Sequence, residues 1–423
     1  MSTDSRYEAR YLVESPFPLE KVAEIMAGEQ SCGTFTRVEG ETDALRERAR
    51  ASVVEVRDLG EVERPSLPNA WLDRRGDTRP VRRGEVTISF PIANVGVNLS
   101  TLAATVAGNL FDLGEVTGLR LESVSVPEAY RSQYLFPTHG VEGTRKLTDV
   151  SEGPMIGSII KPNVGLTSAD TAALVGRLCE SGLDFIKDDE ISANPAHAPL
   201  AERVPAVMAA VRKYEDRTGK HVMVAFNITD ETDAMRRHAD LIEVEGGTCA
   251  MVSLNWCGFS AVETLRRHSG LVIHGHRNGY GAFSRHPALG IGFDAYQLLW
   301  RLAGVDHMHV HGLAGKFAQE DDEVVASAKA CLTPLASTDD RVLPAFSSGQ
   351  WAGTVPQTFE AVATTDLLFM AGGGIMAHPG GPAEGVSSIR EAWRAVAAGE
   401  ALSDARHSNK ALADALDFFG VKA

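Results

Sequence analysis

Eight short apolar runs, each ending abruptly in polar residues, limit the folds open to this chain more than any other feature. They are GSIIKPN at 157–163, LDFIKDDE at 183–190, HVMVAFN at 221–227, CAMVSLN at 249–255, LVIHGHR at 271–277, HMHVHG at 307–312, RVLPAFSSG at 341–349 and LLFMAGGG at 367–374. Helical segments such as ADTAALVGRLCESG and AYQLLWRLAG lie between them. Eight buried strands alternating with helices are what a (β/α)₈ barrel requires, and barrel active sites form where the strands end. The α/β fold class follows, and the polar tips should converge on one face.

Residues ahead of the first run have a different texture. Segments 20–28 and 100–111 read as helices and 51–57 and 84–92 as strands, without regular β-α alternation, which predicts an α+β domain. The Pro- and Gly-rich stretch LFPTHGVEGTRKLTDVSEGP separates the two regions. The expected division is a smaller α+β domain over 1–135 and the barrel over 136–423. A chain of 423 residues exceeds one ordinary core, consistent with two domains.

The formal net charge of −15 argues against nonspecific nucleic-acid binding, which depends on clustered Lys and Arg. Local basic groups could still hold a small phosphorylated molecule. Five scattered cysteines without a C-x-x-C pair fit a reduced compartment. Neither a signal peptide nor a run of about 20 apolar residues is evident, so a cytoplasmic protein without membrane contact is expected.

Lys187-Asp188-Asp189-Glu190 closes the second run. Consecutive carboxylates repel unless something positive lies among them, and adjacent oxygen ligands suit a hard ion such as Mg²⁺. A solvated acidic loop is the alternative, disfavoured by the position at a barrel tip. Lys161, at the first tip, could act as a general acid or base beside such a site, or be a rim lysine. His274, His276, Arg277, His307, His309 and His311 lie at the fifth and sixth tips, where alternate residues share a face. Arg277 with His309 reads as an anion clamp, with a zinc cluster as the alternative reading of the histidines. The segment Gly312-Leu313-Ala314-Gly315-Lys316 suits a mobile lid carrying a cation. The glycines at the seventh and eighth tips suit phosphate, with a tight turn as the plain alternative.

These tips, in this order, resemble the ribulose-bisphosphate carboxylase superfamily over most of the chain. IIKPNVGLTS at 159–168 is similar to its proton-transfer motif, carried by Lys161, and SGLDFIKDDE at 181–190 to its metal motif. The resemblance implies that CO₂ converts Lys187 to a carbamate, which binds Mg²⁺ with Asp189 and Glu190. It implies catalytic roles for His276 and Lys316, and substrate or phosphate roles for Arg277, His309, Ser347, Gly349, Gly372 and Gly373. GEQSCGTFT at 28–36 and AGNLF at 107–111 resemble segments that carry Glu29, Thr34 and Asn109 into a neighbouring subunit's site. A homodimer with shared sites is therefore implied.

Four departures matter. Asn163 stands where the carboxylases have a second lysine, Tyr280 where they have a histidine, Ser348 where they have a glycine, and Phe35 where they have a tryptophan. Losing a cation and an imidazole argues against carboxylation of ribulose bisphosphate. Keeping Lys316, which grips CO₂ in the carboxylases, favours that geometry run backwards through a metal-bound enediolate. The expected activity is decarboxylation of a phosphorylated 3-oxo sugar acid of the 3-oxo-isoapionate 4-phosphate type. An enolase or isomerase of a methylthio-sugar phosphate in methionine salvage is the second expectation, and a non-catalytic binding barrel the third.

Overall fold

The computed structural model describes residues 5–33 and 38–420. It divides into two compact units, one formed by Met1–Tyr134 with Gly279–Leu302 and the other by Leu135–Asn278 with Ala303–Ala423. No helix among the described residues is long and apolar enough to cross a membrane.

The first unit is built on a five-stranded sheet. Its strands are β1 (Arg6–Ser15), β2 (Ser52–Val62), β3 (Val81–Pro91), β4 (Gly118–Ser125) and, from the later segment, β10 (Leu289–Ile291), in the order β10-β4-β1-β3-β2. β1 and β4 add to the two strands expected at 51–57 and 84–92. Tyr7, Ala9, Tyr11 and Val13 are buried along β1 and Leu119 and Leu121 along β4. Charged residues such as Glu8, Arg10, Arg120 and Glu122 fill the intervening positions and mask the apolar signal. A helix over Leu19–Glu29 buries Leu19, Val22, Ala23 and Met26.

The second unit is a closed, all-parallel barrel. Its strands are β5 (Met155–Ile159), β6 (Phe185–Lys187), β7 (Met223–Asn227), β8 (Cys249–Ser253), β9 (Val272–His276), β11 (His307–His309), β12 (Leu343–Phe346) and β13 (Leu368–Met370). Seven fall inside one of the eight runs, β5 begins two residues ahead of the first run, and β11 pairs with β9 to close the ring. Phe185, Met223, Ala225, Cys249, Met251, Val272, Leu343, Ala345, Leu368 and Met370 form its packed interior. The helices carry their own start and stop signals. Thr167 and Asp170 make a reciprocal capping box for Ser168–Glu180, and Gly219, at φ 71°, ends Leu200–Thr218.

One expectation changes. The helix containing AYQLLWRL, Phe293–Leu302, belongs to the first unit, not the barrel. Nine of its ten side chains are buried. A helix buried around nearly its whole circumference does not declare which body it joins.

Candidate active site at the barrel's C-terminal end

Lys187 is the last residue of β6 and is 1% exposed. Its Nζ donates to the Asp188 carbonyl at 2.7 Å. Burial pushes the ammonium down to about 8, against the opposing pull of Glu190, Asp189 and Asp188. At that value a fraction of the amine is neutral near pH 7, and the neutral amine is the form that adds CO₂.

The three carboxylates after Lys187 do different work. Asp188 turns into the protein, where Arg203 Nη2 lies 3.1 Å from its Oδ2 and the Asn227 amide donates at 3.0 Å. It is a structural anchor. Asp189 is 2% exposed and accepts from Lys161 Nζ at 2.8 Å. Glu190 is half-buried, with His276 Nε2 3.6 Å from its Oε2. Burial holds the His276 imidazole down to about 3, so that contact involves a neutral ring and is not an ion pair. Asn227 Nδ2 donates to the carbonyls of Asp189 and Glu190 at 3.1 Å each, fixing the loop that carries both.

Two carboxylates and a carbamylated lysine would form an all-oxygen, anionic donor set, which fits Mg²⁺. Without the carbamate the set is short of a ligand. Among the described residues no group of three or more His, Cys, Asp and Glu side chains is arranged to hold a metal. Lys187 is thus the residue on which the fit depends.

Lys161 Nζ also donates to Asn163 Oδ1 at 2.8 Å. The residue replacing the carboxylases' second lysine therefore helps to hold the remaining one. Arg277 is 3% exposed, and its Nη2 donates to Gln319 Oε1 at 2.7 Å. Lys316 is exposed, with its Nζ 5.2 Å from the Phe317 ring centre. Its loop turns through His311 and Ala314, both at positive φ, and a side chain at Gly312 would collide with Gln350. The backbone N of Lys316 lies near Gly349, so the loops after β11 and β12 run side by side. A Cβ at Gly373 would meet nothing within 4 Å, which leaves space at the end of β13.

Other expected residues belong to the first unit. Glu29 ends its helix and Asn109 begins a short 3₁₀ turn, both exposed and both in the first unit. Thr34 and Phe35 lie outside the described residues. Tyr280 does not stand in for an imidazole. It is 6% exposed in the first unit, packed on Phe293 and Tyr296, and its hydroxyl donates to the Ile291 carbonyl at 3.0 Å.

His309, expected to form an anion clamp with Arg277, lies within a buried network. Both His309 ring nitrogens are engaged within the protein, Nε2 with His274 at 2.8 Å and Nδ1 with Ser347 Oγ at 3.1 Å. Nor are the histidines arranged as a zinc cluster would need, since His274, His307 and His309 face one another nitrogen to nitrogen.

Asn227 and Arg203 were not singled out from sequence. Asn227 is visibly the polar tip of the third run. Arg203 sits among Leu200, Val204, Val207 and Met208 on the buried stripe of its helix, and a charge on such a stripe signals a buried partner.

Comparison with known proteins identifies the family. Residues 140–419 match the family model for the ribulose bisphosphate carboxylase large chain, catalytic domain, and residues 11–130 match that for the N-terminal domain. A crystal structure of a rubisco-like protein from Burkholderia fungorum superposes with a TM-score of 0.94 at 62% identity, covering 98% of this chain and 100% of that one. The 3-oxo-isoapionate-4-phosphate transcarboxylase/hydrolase of Xanthobacter autotrophicus is 45% identical over 98% of this chain and 99% of its own. The 3-oxo-isoapionate-4-phosphate decarboxylase of Rhizobium rhizogenes is 42% identical over 97% of both. The chain belongs to the ribulose bisphosphate carboxylase large-chain family and, within it, to the RuBisCO-like enzymes.

Proposed function

We propose that this protein is a Mg²⁺-dependent carbon–carbon lyase that removes CO₂ from a phosphorylated 3-oxo sugar acid of the 3-oxo-isoapionate 4-phosphate type. The observation that carries the reading is Lys187, buried and shifted toward its neutral form beside Asp189 and Glu190, in a chain whose relatives are named for removing or transferring a carboxyl group. Lys187 as its carbamate, Asp189 and Glu190 would hold Mg²⁺, which supplies Lewis-acid stabilisation of the negative charge that develops on substrate oxygen.

The chain's own groups account for the remaining steps. Arg277 and the backbone near Gly349, Gly372 and Gly373 hold the phosphate. Lys316, brought over the site by its loop, faces the carboxylate as it becomes CO₂. The bond between the carboxyl carbon and C2 breaks, its electron pair enters C2–C3, and the C3 oxygen takes the charge as an enediolate. Lys161, held between Asp189 and Asn163, gives its proton to C2 and is reprotonated from solvent. Glu29 and Asn109, exposed in the first unit, fit the family's shared-site arrangement, so the working form is a cytoplasmic homodimer.

A second reading follows from the relative named transcarboxylase/hydrolase. The same C–C bond breaks, but the carboxyl carbon passes to another acceptor and is not released. The test is a panel of phosphorylated 3-oxo sugar acids and their dephosphorylated counterparts, offered to the protein with Mg²⁺ and bicarbonate. CO₂ release from the phosphorylated members alone is the expected result. Loss of substrate without CO₂ would favour carboxyl transfer, and no turnover of any member would reject both readings.

Arg277→Ala tests the phosphate assignment. Removing a charge-assisted contact of about 3 kcal/mol should raise KM for the phosphorylated substrate about 10²-fold. The dephosphorylated analogue should hardly respond, and equal losses on both would show that Arg277 does not read phosphate.

A further inference from the structure

The end of the barrel opposite the candidate active site carries a polar cleft that the proposed chemistry does not use. It has a volume of about 510 Å³ and lies where the segments entering β6 and β7 meet the helix Pro382–Ala397. Asp184 immediately precedes β6, whereas Lys187 is the last residue of that strand, so the cleft and the candidate metal ligands belong to opposite ends of it. Lys220 Nζ donates to the Gly182 carbonyl at 2.6 Å and lies 3.1 Å from Asp184 Oδ1. Arg390 Nη2 donates to the same carbonyl at 2.8 Å and to both Asp184 oxygens at 2.9 Å. Asp184 is 1% exposed, and its Oδ2 also accepts from the Ile156 amide at 2.8 Å.

Two cations converge on that single carboxylate, so one positive charge is left over in a chain whose formal net charge is −15. Of the other charges lining the cleft, Arg394 and Glu391 pair with each other at 2.7 Å, and Arg394 also reaches Glu400 at 2.9 Å. The tie to Asp184 does not exhaust the donors either. It uses only Nη2 of Arg390, and among the described residues Nε and Nη1 have no hydrogen-bond partner. The Ser387 hydroxyl has none among them, and Ser387 lies three residues before Arg390, on the same face of the helix. Lys220 Nζ keeps a third N–H beyond its two contacts. The Arg390 and Lys220 side chains are 40% and 32% exposed, so a ligand arriving from solvent can reach these donors. Val386, which is buried, supplies an apolar wall.

We propose that this cleft, formed by Lys220, Ser387 and Arg390 at the barrel's N-terminal end, is a second anion site that binds the phosphate group of a small phosphorylated metabolite. Arg390 donates from its unspent N–H groups, Ser387 from its hydroxyl and Lys220 from its third N–H. Three separate donors match the three terminal oxygens of a phosphate monoester, whereas a carboxylate has only two. The uncompensated charge favours the dianion, and the Asp184 tie holds both cations in place before the ligand arrives. A cleft of this volume exceeds what bare phosphate fills and falls in the range of small-metabolite sites, so the carbon portion lies along Val386. The site does not depend on the activity proposed above.

Equilibrium dialysis of the full-length protein against ³²P-labelled inorganic phosphate, at an ionic strength fixed with chloride, gives the direct test. Arg277→Ala removes the phosphate contact assigned to the active site, so binding that survives it lies elsewhere. The expected result is one phosphate per chain retained by Arg277→Ala. Adding Ser387→Glu puts a carboxylate into the cleft without touching the partners of Asp184, and should weaken that remaining binding about tenfold or more. Arg390→Gln, which leaves Lys220 on Asp184, should weaken it similarly. No phosphate retained by Arg277→Ala at millimolar concentration would overturn the proposal, as would retained binding that Ser387→Glu leaves unchanged. If Arg390→Gln fails to fold, the Ser387→Glu comparison alone decides. A wild-type protein that binds a single phosphate, kept in Arg277→Ala and lost in Ser387→Glu, would refute the phosphate role of Arg277 and leave the cleft site standing.

Discussion

Lys187→Ala should abolish turnover while the barrel stays folded. In the proposed mechanism the substitution removes the nitrogen that would become the third anionic metal ligand and leaves only Asp189 and Glu190, too few donors to hold a divalent cation firmly. It also removes a buried amine that is costly to charge, as its depressed pKa shows. Lys187→Met controls for the cavity that alanine would leave, and should lose activity equally while melting near the wild-type temperature. The wild-type protein should gain activity on preincubation with bicarbonate and Mg²⁺ and lose it to a chelator. Either variant keeping more than about a tenth of wild-type turnover, against the roughly 10⁶-fold or larger accelerations typical of enzymes, would remove the carbamate from the mechanism.

Lys316→Met separates C–C cleavage from simple enolisation. If Lys316 stabilises the departing carboxylate, its loss should lower CO₂ release by about 10²–10³-fold, the scale for one preorganised electrostatic contact. Solvent-deuterium exchange into the product ketone should fall much less, because that step uses Lys161, which is held by Asp189 and Asn163 and not by the loop. Both rates can be followed on one preparation, by ¹³CO₂ release and proton NMR. Equal losses would mean that Lys316 serves binding or closure in general, and the preference for decarboxylation over isomerisation would lose its chemical support.

The barrel was legible in the sequence because a parallel strand buried on both faces must be apolar in its body and can become polar only where it ends. That rule located all eight strands and the tips of β6, β9 and β11. The assignments within the tips were harder to read. Nothing in Lys187-Asp188-Asp189-Glu190 tells which carboxylate turns inward, since the answer depends on Arg203, which arrives from the following helix. The histidines offered several readings because strand alternation gives a face but not a partner, and their pairing across β9 and β11 needs the register. Tyr280 and the Phe293–Leu302 helix were misplaced for a related reason. Their segment, Gly279–Leu302, leaves the barrel after β9 and adds β10 to the other unit's sheet, parallel to β4. A run as short as Leu289–Ile291 carries too little pattern to announce such an excursion.

The central claim is that this site breaks the bond between a carboxyl carbon and C2 of a phosphorylated 3-oxo sugar acid. The most direct measurement follows 3-oxo-isoapionate 4-phosphate, ¹³C-labelled in its carboxyl group, by ¹³C NMR with the protein, Mg²⁺ and unlabelled bicarbonate. The predicted result is loss of the carboxyl signal matched by growth of labelled CO₂ and bicarbonate, with one solvent proton gained at C2. A label that stays in the carbon skeleton while deuterium enters from solvent would contradict the account and mark the protein as an enolase or isomerase.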